Sequence, residues 1–175
     1  MIEKIRLYGD EVLRQKAKPI SDIQKVQSKI DNLLETLEAN DEFALAAPQI
    51  GYSLRMFAIR TIWKEEKDDI ETMLFINPEM LEFEGMQNEP EGCLSIPEIY
   101  EKVKRAKKIK FKAQNRFGKK KEYIAEDLFA RAVQHENDHL DGILFIDKLP
   151  TLKRKFLQGK LNKIVSTTKN GVNVG

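Results

Sequence analysis

The sequence predicts an α+β fold: mixed, mostly antiparallel sheets packed around a central metal-binding helix, with an N-terminal amphipathic helix and a C-terminal helix. Three observations carry this expectation. Ile23, Val26, Ile30, Leu33, Leu34 and Leu37 recur at spacings of three and four, the period of one helix face. Between Tyr100 and Tyr123, Lys102, Lys104, Lys108, Lys110 and Lys112 alternate with Val103, Ile109 and Phe111, as in an antiparallel sheet with one solvated face. His135 and His139 then lie four residues apart, one helical turn, so both imidazoles leave the same side.

Taken in order, Ile5-Arg6-Leu7 reads as a short strand, and Asp10 as the cap of a helical turn over Glu11 to Arg14, which Pro19 bars from extending. Ser21 and Gln24 have the spacing of a capping box before the first amphipathic helix, which runs to about Ala39. Phe43 to Ala47 is a short strand or loop entering Pro48. Leu54 to Arg60 and Thr72 to Ile76 read as strands separated by a charged loop, Lys64 to Asp69, and Asn77-Pro78 ends the second. Leu81 to Glu84 alternates again, and a Gly-, Pro- and Glu-rich loop from Gly85 to Gly92 leads to Cys93. Asn115 to Gly118 forms a hairpin turn, and Glu126 or Asp127 opens the helix that ends near Gly142. After Pro150, Leu152, Phe156, Leu157, Leu161 and Ile164 fit a C-terminal helix.

At 175 residues and 41% hydrophobic the chain suits one domain over 1–165, its last helix at about 151–165, with 166–175 a flexible tail. A net charge of +2 argues against a general polyanion binder, and the lysine alternation lacks the interleaved aromatics of a base-stacking platform, so no DNA partner is expected. No run is long and apolar enough to span a membrane, and Met1 to Arg6 lacks the apolar core of a signal peptide. A single cysteine excludes an internal disulfide and suits a reducing, cytoplasmic setting.

The chemistry is concentrated in Gln134-His135-Glu136-Asn137-Asp138-His139. His135 and His139 can ligate one metal ion, and Glu136 lies beside them as a general base for hydrolysis. A catalytic site of this kind wants a third protein ligand. Phe145 stands where a third histidine would follow, and Asp147 is the only acid after Gly142, which directs attention upstream. Cys93, the sole cysteine, is the best candidate, because a thiolate is a strong ligand.

Glu91-Gly92-Cys93-Leu94-Ser95, Gln134-His135-Glu136-x-x-His139 and Leu45-Ala46-Ala47-Pro48-Gln49 closely resemble the three signature motifs of the peptide deformylases, in the same order and at similar spacing. The resemblance spans roughly Ile5 to Pro150. It implies a hydrolase that removes the formyl group from N-formylmethionyl peptides and releases formate. The implied cofactor is one divalent ion, Fe2+ natively, with Zn2+, Ni2+ or Co2+ able to substitute. By the same analogy Cys93, His135 and His139 hold the ion, Glu136 moves the proton, and the Gln49 amide and the Leu94 N–H stabilise the oxyanion. Phe43, Leu128 and Ala132 would line a pocket for the methionine side chain. Arg131 shares that helix stripe and fits a pocket wall only if its stem lies flat and its head reaches water. The peptide backbone would pair with the strand around Phe43 and Ala44.

One motif departs from the family pattern, which carries Gly-x-Gly where this chain has Glu42-Phe43-Ala44. A positive φ at the first of these positions would cost Glu42 about 1 kcal/mol or oblige the loop to change shape. At the second, the Ala44 methyl would intrude on a closely bound peptide. The departure keeps open a metallo-hydrolase of the same fold acting on another N-acyl peptide or amine. A structural metal site with the basic C-terminal helix as its working surface is a third reading, disfavoured because only three ligands are available. That helix is also a candidate contact for the ribosome, as in some deformylases.

Overall fold

The computed structural model describes residues 1–62 and 70–169. The charged loop expected at Lys64 to Asp69, and residues 170–175 of the expected tail, lie outside the described residues. In chain order the strands are β1 (Ala44–Ala46), β2 (Met56–Arg60), β3 (Thr72–Glu84), β4 (Gln87–Cys93), β5 (Ile96–Arg105), β6 (Lys108–Gln114) and β7 (Lys120–Glu126). The helices are α1 (Gln27–Ala39), α2 (Asp127–Leu140) and α3 (Thr151–Lys169). One sheet has the order β1-β2-β3-β6-β7, while β4 and β5 form a separate hairpin, and all these pairings are antiparallel. The predicted α+β class is therefore the observed one.

Helix α2 is the centre of the packing. Ala130, Ala132, Val133 and Leu140 share a core with Phe57, Phe75 and Phe111 of the large sheet. Phe75 is the hub of that layer, its ring 5.1–5.3 Å from those of Phe57, Phe111 and Tyr123. A second core joins Ile30, Leu33 and Leu37 of α1 to Met56 and Ala58 of β2, as the amphipathic spacing predicts. A third packs Ile96, Ile99 and Val103 of β5 against Leu144 to Ile146 and Leu161 of α3.

Several local expectations need correction. Ile5 to Leu7 is not a strand, although Arg6 N–H bonds to Gln49 O and Tyr8 N–H to Ser95 O, which lays this segment across the functional elements. Asp10 does cap the turn over Glu11–Arg14, accepting from Val12 N–H. Ser21 forms no capping box; Asp22 accepts from Gln24 N–H, and a 3-10 turn over Gln24–Val26 precedes α1. Asn77-Pro78 does not end a strand. β3 continues through a register shift between Ile76 and Glu79, with Asn77 at φ 49 and its side chain bonded to Ile20 and Gln114. The expected loop before Cys93 is strand β4, and Pro90 is tolerated there because β4 pairs on one side only.

The lysine alternation is divided between two sheets, Lys102 and Lys104 on β5 and Lys108, Lys110 and Lys112 on β6. On the solvated face of β6, Lys108 meets Glu84 and Glu126, Lys110 meets Glu82 and Glu122, and Lys112 meets Glu79, at 3.2–4.0 Å. Each exposed pair contributes little to stability, but together they neutralise the basic run. Helix α3 uses only part of its apolar set: Leu161 is buried, whereas Leu152 and Phe156 are 65% and 80% exposed. It also continues through Ser166 to Lys169, residues that the sequence assigns to the tail.

The C-terminal end of α2 is held by the N-terminal segment. Ala17 N–H donates to Leu140 O, and Gly142 turns the chain away at φ +72 against Arg14, where a Cβ would stand 2.5 Å from the Arg14 carbonyl oxygen. Gly142→Ala meets both the left-handed penalty and this backbone contact. The expected loss is at least about 1–2 kcal/mol, measured as a lower urea midpoint with an unchanged slope.

Candidate metal centre

Three elements converge on one place. Cys93 ends β4 and pairs with Ile96 across the two-residue turn Leu94–Ser95, so the tip of the hairpin presents it. One face of α2 presents His135 and His139. The 3-10 turn over Ala47–Ile50 presents Gln49, and Gly51 at φ 89 lets the chain leave that turn. The ligand atoms of Cys93, His135 and His139 lie within 4.8 Å of one another. Cys93 Sγ is 3.4 Å from His139 Nε2 and accepts from Gln49 Nε2 at 3.3 Å.

This set fits a metal ion. His135 Nδ1–H donates to Glu91 Oε2 at 2.9 Å, which leaves Nε2 of that ring to act as a ligand. A thiolate with two imidazoles is a donor set for iron, zinc, nickel or cobalt, three ligands being the number that keeps a coordination position open. Buried Glu136 Oε2 has no hydrogen-bond partner among the described residues. The catalytic carboxyl that the sequence predicts is thus beside the cluster without being consumed by the protein.

The electrostatics separate the titratable groups. Burial opposes charge on His135, but hydrogen bonds with Cys93 and Glu91 hold its proton well above the ordinary histidine range. His139 is held well below that range by burial and by the neighbouring His135 charge. Burial lifts the Glu136 carboxyl to about 7 against the opposing pull of His135, within reach of proton transfer at neutral pH.

A groove opens above the cluster, lined by Phe43, Ala44, Gln49, Leu94, Leu128, Arg131, Ala132, Cys93, His135 and Glu136. These are the residues singled out from the sequence, except His139, which is buried and not among the groove's lining. Leu128 is at the rim, 44% exposed, and Ala132 is buried. Gln49 is buried with its amide oriented: Oε1 accepts from Ala46 N–H at 2.9 Å, and Nε2 points to Cys93 and Ser95. The left-handed residue near the departing motif is Asp41 at φ 50, not Glu42, so the loop places the unusual φ on a residue type that tolerates it. Glu42 also lines the groove.

Arg131 departs from expectation. Its head does not reach water; it is buried, donating to Glu91 Oε1 at 2.7 Å, Val103 O at 2.9 Å and Gln87 Oε1 at 3.2 Å. Sequence reasoning missed the cause, which is Glu91. This carboxylate is 6% exposed and also receives Arg105 Nε at 2.8 Å and Nη2 at 3.0 Å, while Arg105 reaches on to Asp138. The available signal was its place two residues before Cys93 in the motif Glu91-Gly92-Cys93-Leu94-Ser95. Burial pushes the Glu91 carboxyl up, but hydrogen bonds from His135 and Arg105 bring it down to about 2 from 4.5. Glu91→Gln removes the counter-charge of two guanidiniums and an imidazole. A loss of about 3 kcal/mol at neutral pH is expected, with metal affinity about 10–100-fold weaker by chelator competition. Because the folded carboxyl is depressed, the advantage over the variant is complete above about pH 4.5 and disappears as pH falls through about 2, measured by urea unfolding across that range.

Comparison with known proteins agrees with the geometry. The polypeptide deformylase family model matches residues 2–155. Peptide deformylase of Acidobacterium capsulatum is 43% identical over 165 residues, covering 94% of this chain and 96% of the relative. That of Pseudothermotoga lettingae is 44% identical over 167 residues, covering 94% and 93%. The crystal structure of a peptide deformylase from Legionella pneumophila matches with a TM-score of 0.85 at 39% identity over 99% of both chains. That of the Thermus thermophilus enzyme matches at 0.87 and 39% identity, over 97% of this chain and 99% of the other. With its fold, its Cys/His/His cluster and its sequence all in agreement, this chain belongs to the polypeptide deformylase family.

Proposed function

We propose that the chain is a peptide deformylase, hydrolysing the formamide of N-formylmethionyl peptides to formate and a free amino terminus. The observation that carries this is the convergence of Cys93, His135 and His139 within 4.8 Å, beside buried Glu136, under a groove open to an extended peptide. Cys93, His135 and His139 would hold a divalent ion, which supplies Lewis acidity and a water of lowered pKa. We assign Fe2+ as the native ion, replaceable by Ni2+, Co2+ or Zn2+, and the cytoplasm as the compartment that keeps the thiolate reduced.

Glu136 accepts the proton of the attacking water as the new C–O bond forms and the formyl oxygen takes up negative charge, then returns it to the amine nitrogen as the C–N bond breaks and the carbonyl re-forms. Burial raises its carboxyl above the ordinary carboxylate range, and a divalent ion beside it would act in the opposite direction. Gln49, with its oxygen fixed by Ala46 N–H, would turn one Nε2–H from its long bonds with Cys93 Sγ and Ser95 Oγ to the developing oxyanion, and the Leu94 backbone N–H would be the second donor. Phe43, Leu128, Ala132 and the stem of Arg131 form the wall for the first side chain. Phe43 O bonds to Arg60 N–H of β2, so by antiparallel alternation the N–H and C=O of Ala44 face away from β2. A peptide lying there would add a strand to the β1 edge.

Helix α3 supplies a basic surface. Lys155, Lys160 and Lys163 have no ion-pair partner among the described residues, whereas Lys153 and Arg154 pair with Glu101 and Asp147. We assign ribosome contact to this surface. Reversing Lys155, Lys160 and Lys163 to glutamate is expected to reduce ribosome co-sedimentation at low salt about tenfold or more, without loss of hydrolytic activity.

The direct test is formate release from formyl-Met-Ala-Ser. Chelation should abolish it, and Fe2+ without oxygen or Ni2+ should restore it. No release at any metal loading refutes the reading, and a preference for acetyl over formyl peptides points to another N-acyl hydrolase. Glu136→Gln should lower kcat about 10²–10⁴-fold while retaining the metal, whereas Cys93→Ser should lose metal and activity together.

A further inference from the structure

We propose that Glu42 is a charge-selecting residue of the groove, favouring peptides with Lys or Arg immediately after the formylated residue; the inference rests on the deformylase reading above. The acidic and basic groups lining the groove are Glu42, Glu91, Arg131, Glu136 and His135, the last a member of the Cys/His/His cluster and hydrogen-bonded to Glu91. Glu91 and Arg131 neutralise each other in the buried network, and Glu136 is beside the metal ligands. Glu42 is therefore the carboxylate left to meet a substrate charge.

Its surroundings leave it unpaired. Arg60, the guanidinium that reaches this loop, bonds to Asp41 Oδ1 at 2.7 Å and to the Glu42 backbone oxygen at 3.3 Å, and forms no ion pair with the Glu42 carboxylate. No other cation pairs with Glu42 among the described residues. Partial burial raises its carboxyl, the Phe43 backbone N–H works against that, and the Asp41 charge raises it further. A half-desolvated carboxylate in this state gains from an arriving cation more than a fully solvated one. Glu42 also stands two residues before Ala44, which lines the same groove, and its charge reaches Glu136 as well, so its effect on substrate charge is read from ratios between peptides rather than from absolute rates.

The test uses amidated formyl-Met-Lys-Ala, formyl-Met-Gln-Ala and formyl-Met-Glu-Ala at pH 8 and low salt. The wild-type kcat/KM should fall in that order, with a Lys-to-Glu ratio of about tenfold carried by KM, as for one attractive against one repulsive partly exposed pair. In Glu42→Gln the ratio should shrink to within about twofold, and high salt should shrink it in the wild type. Calorimetric Kd values for the same peptides on metal-loaded Glu136→Gln protein, with and without Glu42→Gln, should show the same ordering while hydrolysis is slow. Equal ratios in wild type and variant, in rate or in Kd, overturn the proposal. If no peptide releases formate, the deformylase reading falls by itself, because the Kd ratios still decide the role of Glu42.

Discussion

The site depends on one buried carboxylate. Glu91 comes from β4, and its partners come from β5 (Arg105) and α2 (Arg131, His135). An isolated carboxylate at this depth would be strongly disfavoured, and so would either guanidinium alone. Together they satisfy one another, and the hairpin is thereby locked to the helix. The same hairpin ends in Cys93, so the lock sets the distance between the thiolate and the two imidazoles.

This arrangement also divides the protons. His135 has one nitrogen tied to Glu91 and its charge supported by Glu91 and Cys93, while His139 is neutral in the absence of metal. Glu136 has no such partner, and burial keeps it near neutrality. The protein spends its counter-charges on Glu91 and leaves Glu136 available for chemistry.

The groove owes its form to two strands with open edges. Among the described residues β1 pairs only with β2, and β4 only with β5. Exposed edges of this kind invite an extended chain, and here the invitation lies directly over the cluster. A peptide can be oriented by backbone pairing that is indifferent to its sequence. On the function proposed above, the apolar wall would recognise the first side chain, and Glu42, as we propose, would weigh the charge of the second.

The pairing of His135 with His139, the place of Glu136 beside them and the buried face of α1 were legible because each follows from the period of one helix. Cys93 was legible through the absence of another ligand. The path of β3 past Pro78 was not, because the side chain of Asn77 supports the register shift through Ile20 and Gln114, which are distant in sequence. Nor was the strand through Pro90, whose tolerance depends on having an open edge. The amino-acid order by itself determined which residues can bind metal and move a proton, since those properties belong to side-chain chemistry and local spacing. Only the tertiary structure decided that Arg131 is a buried structural cation and Glu91 the anchor of the site. Charge neutralisation at depth requires groups from separate elements, and no local period brings those together.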